Sequence, residues 1–158
     1  MEVSVQVFER IVSLLENNNI DFSLTVHEPV FTSKEAAIAR GGLHRLRFGA
    51  KAMILKVDDF FVQCVIPADK MVDLERVKKL FGAERVRLAK PREVVDLTGC
   101  APGSIPPFGN LFGFEVVADP LLSDRIDFSP GVHDKSISME KKDWLRLVRP
   151  RVERVSAS

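Results

Sequence analysis

The chain has 158 residues, of which 46% are apolar and 28% charged, with a net charge of +1. That describes one globular domain long enough to bury a core, and too nearly neutral to coat a nucleic-acid duplex. Cys64 and Cys100 form no spaced pair, which fits a reducing compartment; Glu2, Glu9 and Arg10 interrupt the apolar N-terminal run, which excludes a signal peptide or membrane span and makes the expected location cytoplasmic.

Val7, Phe8, Ile11, Val12, Leu14 and Leu15 recur at helical spacing until Asn17, Asn18 and Asn19 stop the run. This predicts an amphipathic first helix. "DFSLTVH" alternates Phe22, Leu24 and Val26 with polar residues, the pattern of a half-buried strand. "TSKEAAIARGG" pairs Thr32 with Glu35 in capping-box spacing and closes on Gly41 and Gly42, so it predicts a second helix. "AKAMILKV" and "FFVQCVI" flank Asp58 and Asp59 and predict a β-hairpin.

"MVDLERVKKLFG" is a third amphipathic helix stopped by Gly82, and "ERVRLA" a short strand. "PREVVDL" starts a helix with Pro91 in its first turn. "LFGFEVVAD", "RIDFS" and "KSISM" are further strands, with "SPGVHD" as the turn between the last two, and "EKKDWLRLV" is the final helix. The interspersed elements predict an α+β fold: a mixed sheet flanked by helices, in one domain over residues 1–150. A polar, frayed tail is expected at 151–158.

His27, His44 and His133 lie far apart and no His/Cys pair has ligand spacing, so neither a metal nor a cofactor is expected. Walker and G-x-G-x-x-G patterns are absent from the sequence. Cys64, among Phe60, Phe61, Val62, Val65 and Ile66, reads as core; Cys100 reads as a small buried thiol, with a reactive nucleophile as the alternative. Ser129, His133 and Asp134 share one tight turn, which suits the wall of a polar pocket better than a converging triad.

Two features stand out. Lys51 opens the strand "KAMILKV" and shares a face with Met53, Leu55 and Val57, an unusual setting for an ammonium. It either snorkels to water from the strand end or points into a pocket to hold a carbonyl oxygen or a phosphate. The second feature is "CAPGSIPPFGN", where five of eleven residues are Gly or Pro and none is charged. Pro102, Pro106 and Pro107 restrict the loop, and such a loop holds the Gly103 N–H, Ser104 and Gly109 in place. It is either a rigid connector or a pre-aimed backbone wall of a small-molecule pocket.

Taken in order, "VFTSKEAA", "KAMIL", the block "DLERVKKLFGAERVRLAKPREVVDLTGCAPGSIPPFGN" and "IDFSPGVHDKSISM" resemble the YbaK-type aminoacyl-tRNA deacylases. That group includes the editing insertion domain of bacterial prolyl-tRNA synthetase. The resemblance runs from about Val7 to Val148. It implies a partly barrel-like mixed β-sheet surrounded by helices, and hydrolysis of the ester joining a wrong amino acid to the 3′ adenosine of a tRNA.

By position, the resemblance makes Lys51 the pocket lysine and Gly103 the centre of a backbone cradle around the aminoacyl carbonyl. Thr98 and Gly99, with the G-x-x-x-P signature from Gly103 through Ser104 to Pro107, belong to the substrate-binding block. Ser129, Gly131, His133 and Asp134 fall on the opposite wall. Ala52 follows the lysine where cysteine-removing members typically carry Thr and alanine-removing members Asn, which leaves the amino acid open. Arg45, Arg47, Lys56 and Lys70 are candidates for phosphate contact, against a reading as solvated surface charge.

The expected activity is therefore trans-acting deacylation of mischarged tRNA, with Cys- or Ala-charged tRNA(Pro) tried first. The expected partners are the aminoacylated acceptor end and a synthetase, with no membrane. The alternatives are a non-catalytic module that binds an aminoacyl end, an amino acid or a synthetase, and a small-ester or thioester hydrolase using Cys100.

Overall fold

The computed structural model describes residues 2–158. Helix α1 (Glu2–Asn17) turns Val7, Ile11 and Leu15 inward at four-residue spacing. The edge strand β1 (Phe22–Val26) follows. Helix α2 (Ser33–Ala39) begins at the expected capping box, where the Thr32 hydroxyl accepts the Glu35 N–H and Glu35 accepts the Thr32 N–H. A 3₁₀ turn (Leu43–Phe48) leads into the hairpin β2 (Ala50–Val57) and β3 (Phe60–Pro67). Helix α3 (Leu74–Phe81), capped by Asp73 and closed by left-handed Gly82, strand β4 (Val86–Leu88) and helix α4 (Pro91–Thr98) complete the first half.

After the Gly/Pro loop, β5 (Glu115–Ala118) is shorter than its sequence pattern predicts, because Gly109–Phe112 coils into a 3₁₀ turn. Strands β6 (Arg125–Phe128) and β7 (Lys135–Glu140), helix α5 (Lys141–Val148) and strand β8 (Arg151–Val152) end the chain.

The strands form two sheets. One is antiparallel in the order β1-β7-β6; the other is mixed, in the order β4-β2-β3-β5-β8, with β3–β5 and β5–β8 parallel. Among the described residues a single parallel bridge, between Gly49 and Asp127, joins them, and they do not close into a barrel. The fold is thus mixed α+β, as expected. The main core lies between the sheets, with Ile11, Leu15, Phe108, Phe128, Ile137, Met139 and Trp144 all buried. A second cluster of Leu55, Val57, Cys64, Ile66, Val77 and Val155 lies under α3.

Two expectations need correction. The tail at 151–158 is docked, not frayed: β8 pairs with β5, and Val155 and Ser156 are fully buried. Asp119 Oδ2 reaches across to hold this region, accepting the N–H groups of Val155 and Ser156, while Oδ1 accepts the N–H of Leu121 in its own turn. Burial alone would raise the Asp119 carboxyl, yet those N–H groups outweigh it and keep it below its ordinary value. Strand β1 is not half-buried along its length: Phe22 turns inward, while Leu24 and Val26 are exposed because β1 is the sheet's edge.

Candidate functional site

A cleft of about 310 Å³ opens where the start of β2, the N-terminal end of α2 and the Gly/Pro loop meet. Lys51 stands on one side, and Gly103, Ile105 and Ser129 also line it. Lys51 occupies the β2 face that carries Met53, Leu55 and Val57; where that row leaves the core, its side chain is half-buried and lines both the cleft and the adjoining groove that holds Lys70. Its Nζ donates to the Lys70 carbonyl oxygen at 2.7 Å. Burial pulls the Lys51 amine below its ordinary value, and the nearby Asp69 carboxylate offsets part of that.

The floor depends on Gly49. A Cβ there would lie 2.5 Å from the Ala68 Cβ, so only glycine lets the end of the 3₁₀ turn, β2 and the loop after β3 come together. Gly49 also accepts the Ala68 N–H and bridges to Asp127, which sets the two sheets against each other beside the cleft.

The Gly/Pro loop is fixed from behind. Gln63, fully buried on β3, donates Nε2 to the Pro106 carbonyl at 3.0 Å and accepts the Gly109 N–H at 2.8 Å. Trp144 Nε1 donates to the Pro107 carbonyl at 2.8 Å, and Phe108 packs on Phe128. Gly103 itself is left-handed, with φ +89°, and a Cβ would press on the Phe31 carbonyl oxygen at 3.2 Å. Its N–H donates to no atom among the described residues.

The third wall is Val30–Ala36. The exposed Phe31 ring lies 4.6 Å from the His133 ring, centroid to centroid. His133 Nδ1 is 3.0 Å from the Val30 carbonyl, and His133 returns its own carbonyl to the Val30 N–H.

Of the residues singled out by sequence, Lys51, Gly103 and Ser129 meet in the cleft. Gly131, His133, Asp134, Gly99 and Ser104 line a neighbouring, more apolar cavity of about 510 Å³ that shares Phe31 with the cleft. Thr98 is buried at the end of α4, bonded to Val94 and Cys100, and Pro107 faces Trp144; neither reaches the cleft. Asp134 pairs with Lys135 and His133 with Val30, so Ser129, His133 and Asp134 form no triad. Burial pushes the Cys100 thiol up to about 11, partly offset by Thr98, and the Cys64 thiol up to about 12, which removes both as nucleophiles near neutrality.

Among the cations considered for phosphate, Arg45 is committed to buried Asp127 through two hydrogen bonds of 3.0 and 2.7 Å. Lys56 lies over Phe61 and Arg47 over Phe48; Lys70 borders the groove beside the cleft. Sequence reasoning missed Arg40, Thr32, Ser33 and Ala68 as cleft residues, and Gln63 and Trp144 as the loop's anchors. Gln63 carried a usable signal: one amide in an apolar strand must find partners once buried.

Comparison with known proteins gives a consistent picture. A family model described as an aminoacyl-tRNA editing domain matches residues 27–147. The chain is 37% identical over 149 residues to the multifunctional Ser/Thr-tRNA deacylase ProXp-y of Escherichia coli K12, spanning 90% of this chain and 88% of that protein. It is 32% identical over 85 residues to a proline–tRNA ligase of Bacillus cereus, spanning 54% of this chain but 15% of the ligase. A crystal structure of a candidate trans-editing enzyme for prolyl-tRNA synthetase superposes with a TM-score of 0.83 at 22% identity, over 96% of this chain and 98% of that one, which shows a shared fold.

Proposed function

This chain belongs to the aminoacyl-tRNA editing domain family and is an aminoacyl-tRNA deacylase; from that premise we propose that it acts in trans, removing a small wrong amino acid from a mischarged tRNA. The observation that carries this reading is the cleft of about 310 Å³ that sets Lys51 and the Gly103 loop on one space. Its size suits a small side chain.

The reaction needs little from the protein. Water adds to the aminoacyl carbonyl carbon, the bond to the ribose oxygen breaks, and a proton passes to that oxygen. The products are the free amino acid and a tRNA with its terminal hydroxyl restored. An aminoacyl ester is already activated, so oriented donors and a held water suffice. Lys51 and the Gly103 N–H are the donors we assign to the developing negative charge, and a preformed donor of this kind is worth about 10²–10³ in rate. Ser129, Thr32 and Ser33 supply hydroxyls around the same space. Thr98, Gly99, Ser104 and Pro107 support the loop, while His133 braces Phe31 from the neighbouring cavity that Gly131 and Asp134 also line.

Selectivity follows from shape. One methylene is worth only about 1–3 kcal/mol, so a rigid wall excludes a larger cognate residue better than it grades small ones. Ala52 lines the cleft where the family's Thr or Asn would project a polar group. The substrates to try first are Cys- and Ala-charged tRNA(Pro), together with Ser- and Thr-charged tRNAs because the Escherichia coli relative is a Ser/Thr-tRNA deacylase. A synthetase partner would follow from a tRNA(Pro) substrate.

The test is a panel of these misacylated tRNAs with the purified protein, run beside Lys51→Ala. Hydrolysis of at least one, lowered about 10²-fold in the variant, is the expected result. An intact panel defeats the reading, and an undiminished rate in Lys51→Ala removes the lysine from the reaction.

A further inference from the structure

Arg40, at the end of α2, also lines the cleft. Its Nε donates to Ser136 Oγ at 2.8 Å, and the same oxygen lies 2.8 Å from His27 Nε2. His27 Nδ1 is 2.7 Å from the Glu28 carbonyl oxygen. A carbonyl only accepts, so Nδ1 carries a proton; in the neutral ring Nε2 then accepts the Ser136 hydroxyl proton. That leaves the Ser136 oxygen to accept from Arg40. In either ring state the Ser136 oxygen accepts the Arg40 Nε–H, and Ser136 is buried on β7, so the guanidinium is held from behind.

The front of that guanidinium is uncommitted. Neither Nη atom donates to an acceptor among the described residues, and neither is a sealed-off buried atom. Burial disfavours its charge; Asp127 favours it and Arg45 opposes it again. Both Asp127 oxygens are already taken by Arg45. The cleft lining contains two cations, Lys51 and Arg40, and no carboxylate. Such a space attracts an anion.

Near the scissile ester, an aminoacyl-tRNA end offers one anion, the phosphodiester 5′ to the terminal adenosine. We propose that Arg40 forms a phosphate subsite that seats this phosphodiester, with Ser136 and His27 as positioning residues. The inference rests on the deacylase reading above. A guanidinium fork matches phosphate oxygens in geometry as well as charge.

The test uses the full chain and a non-hydrolysable 3′-aminoacylamide of adenosine, made with and without a 5′-phosphate methyl ester. The wild-type protein binds the phosphorylated compound at least tenfold more tightly. Arg40→Gln cuts that preference below threefold, and Ser136→Ala, which keeps the charge but frees the fork, lowers it by a smaller factor. No preference in the wild-type protein overturns the subsite, as does an undiminished preference in Arg40→Gln. Equal weakening of both compounds by Arg40→Gln also overturns it, because the arginine would then touch the aminoacyl part. If Arg40→Gln fails to fold by thermal melting, an unchanged preference in Ser136→Ala is the overturning result. Hydrolysis of the tRNA panel by the wild-type protein is read separately, so loss of the phosphate subsite leaves the deacylase reading standing.

Discussion

The two walls that flank Lys51 are built on different plans. The Gly/Pro loop is anchored from the core side: Ser104 and residues 106–109 are buried, and Gln63 and Trp144 hold three of its backbone groups from β3 and α5. The wall at Val30–Ala36 is held by the local Thr32–Glu35 box and by the paired exchange of Val30 with distant His133, while Phe31 is 63% exposed. On the proposed reading the contrast has a purpose. A wall that measures a side chain by size must not yield, because a shift of 1 Å in a reacting group can cost about 10²-fold in rate. A wall that a tRNA end must pass has no such need, and its restraints lie on the surface.

The largest expected effect comes from releasing the anchored wall. Gln63→Leu keeps the volume but removes both bonds, leaving the Pro106 carbonyl and the Gly109 N–H buried without partners. Each such group costs about 1–3 kcal/mol, so thermal or denaturant unfolding is expected to show a loss of about 3 kcal/mol. Deacylation should fall by about 10²-fold as the loop drifts. Unchanged stability together with unchanged rate would mean that the loop's order comes from its prolines alone, and the contrast between the walls would dissolve.

How much of this was legible in the sequence depends on the distance over which a residue's partner lies. The caps of α2 and α3, the hairpin at Asp58 and Asp59, and the face that Lys51 shares with Met53 and Leu55 are set within a few residues, and each is found where its pattern placed it. The ordered tail was not legible, because Val155 and Ser156 owe their place to Asp119, more than thirty residues earlier. Nothing in the sequence set Arg40 apart, since Ser136 and Asp127 lie about ninety residues away. The Gly/Pro loop was visible as stiff, but composition could not reveal that a glutamine on β3 fixes it. The exposure of β1 escaped for a related reason: alternation gives a strand's two faces, not whether another strand will cover its edge.

Gly103→Ala touches both walls and should have an intermediate effect. At φ +89° an alanine pays roughly 1–2 kcal/mol of backbone strain, and its Cβ would meet the Phe31 carbonyl oxygen at 3.2 Å and His133 at 3.6 Å. The added methyl pushes the walls apart. The expected signature is a rate loss that exceeds the stability loss, read by comparing kcat/KM for a misacylated tRNA with the unfolding midpoint. A stability loss with normal kinetics would place Gly103 outside the reacting space.

The smallest effect belongs to the surface-held wall. Thr32→Ala removes the hydroxyl that accepts the Glu35 N–H, and loss of such a cap costs about 1 kcal/mol. Glu35 still accepts the Phe31 and Thr32 N–H groups, which pull its carboxyl below its ordinary value, so the segment keeps part of its restraint. The helix start should loosen without disturbing Gln63 or Trp144 on the far side of the cleft. Amide hydrogen exchange should therefore speed up at residues 31–37 and stay slow at Gly109. KM for a misacylated tRNA is expected to rise by less than about tenfold, with kcat nearly kept. Should exchange quicken equally at Gly109, the two walls would be one cooperative unit, and the division between a measuring wall and an admitting wall would have to be given up.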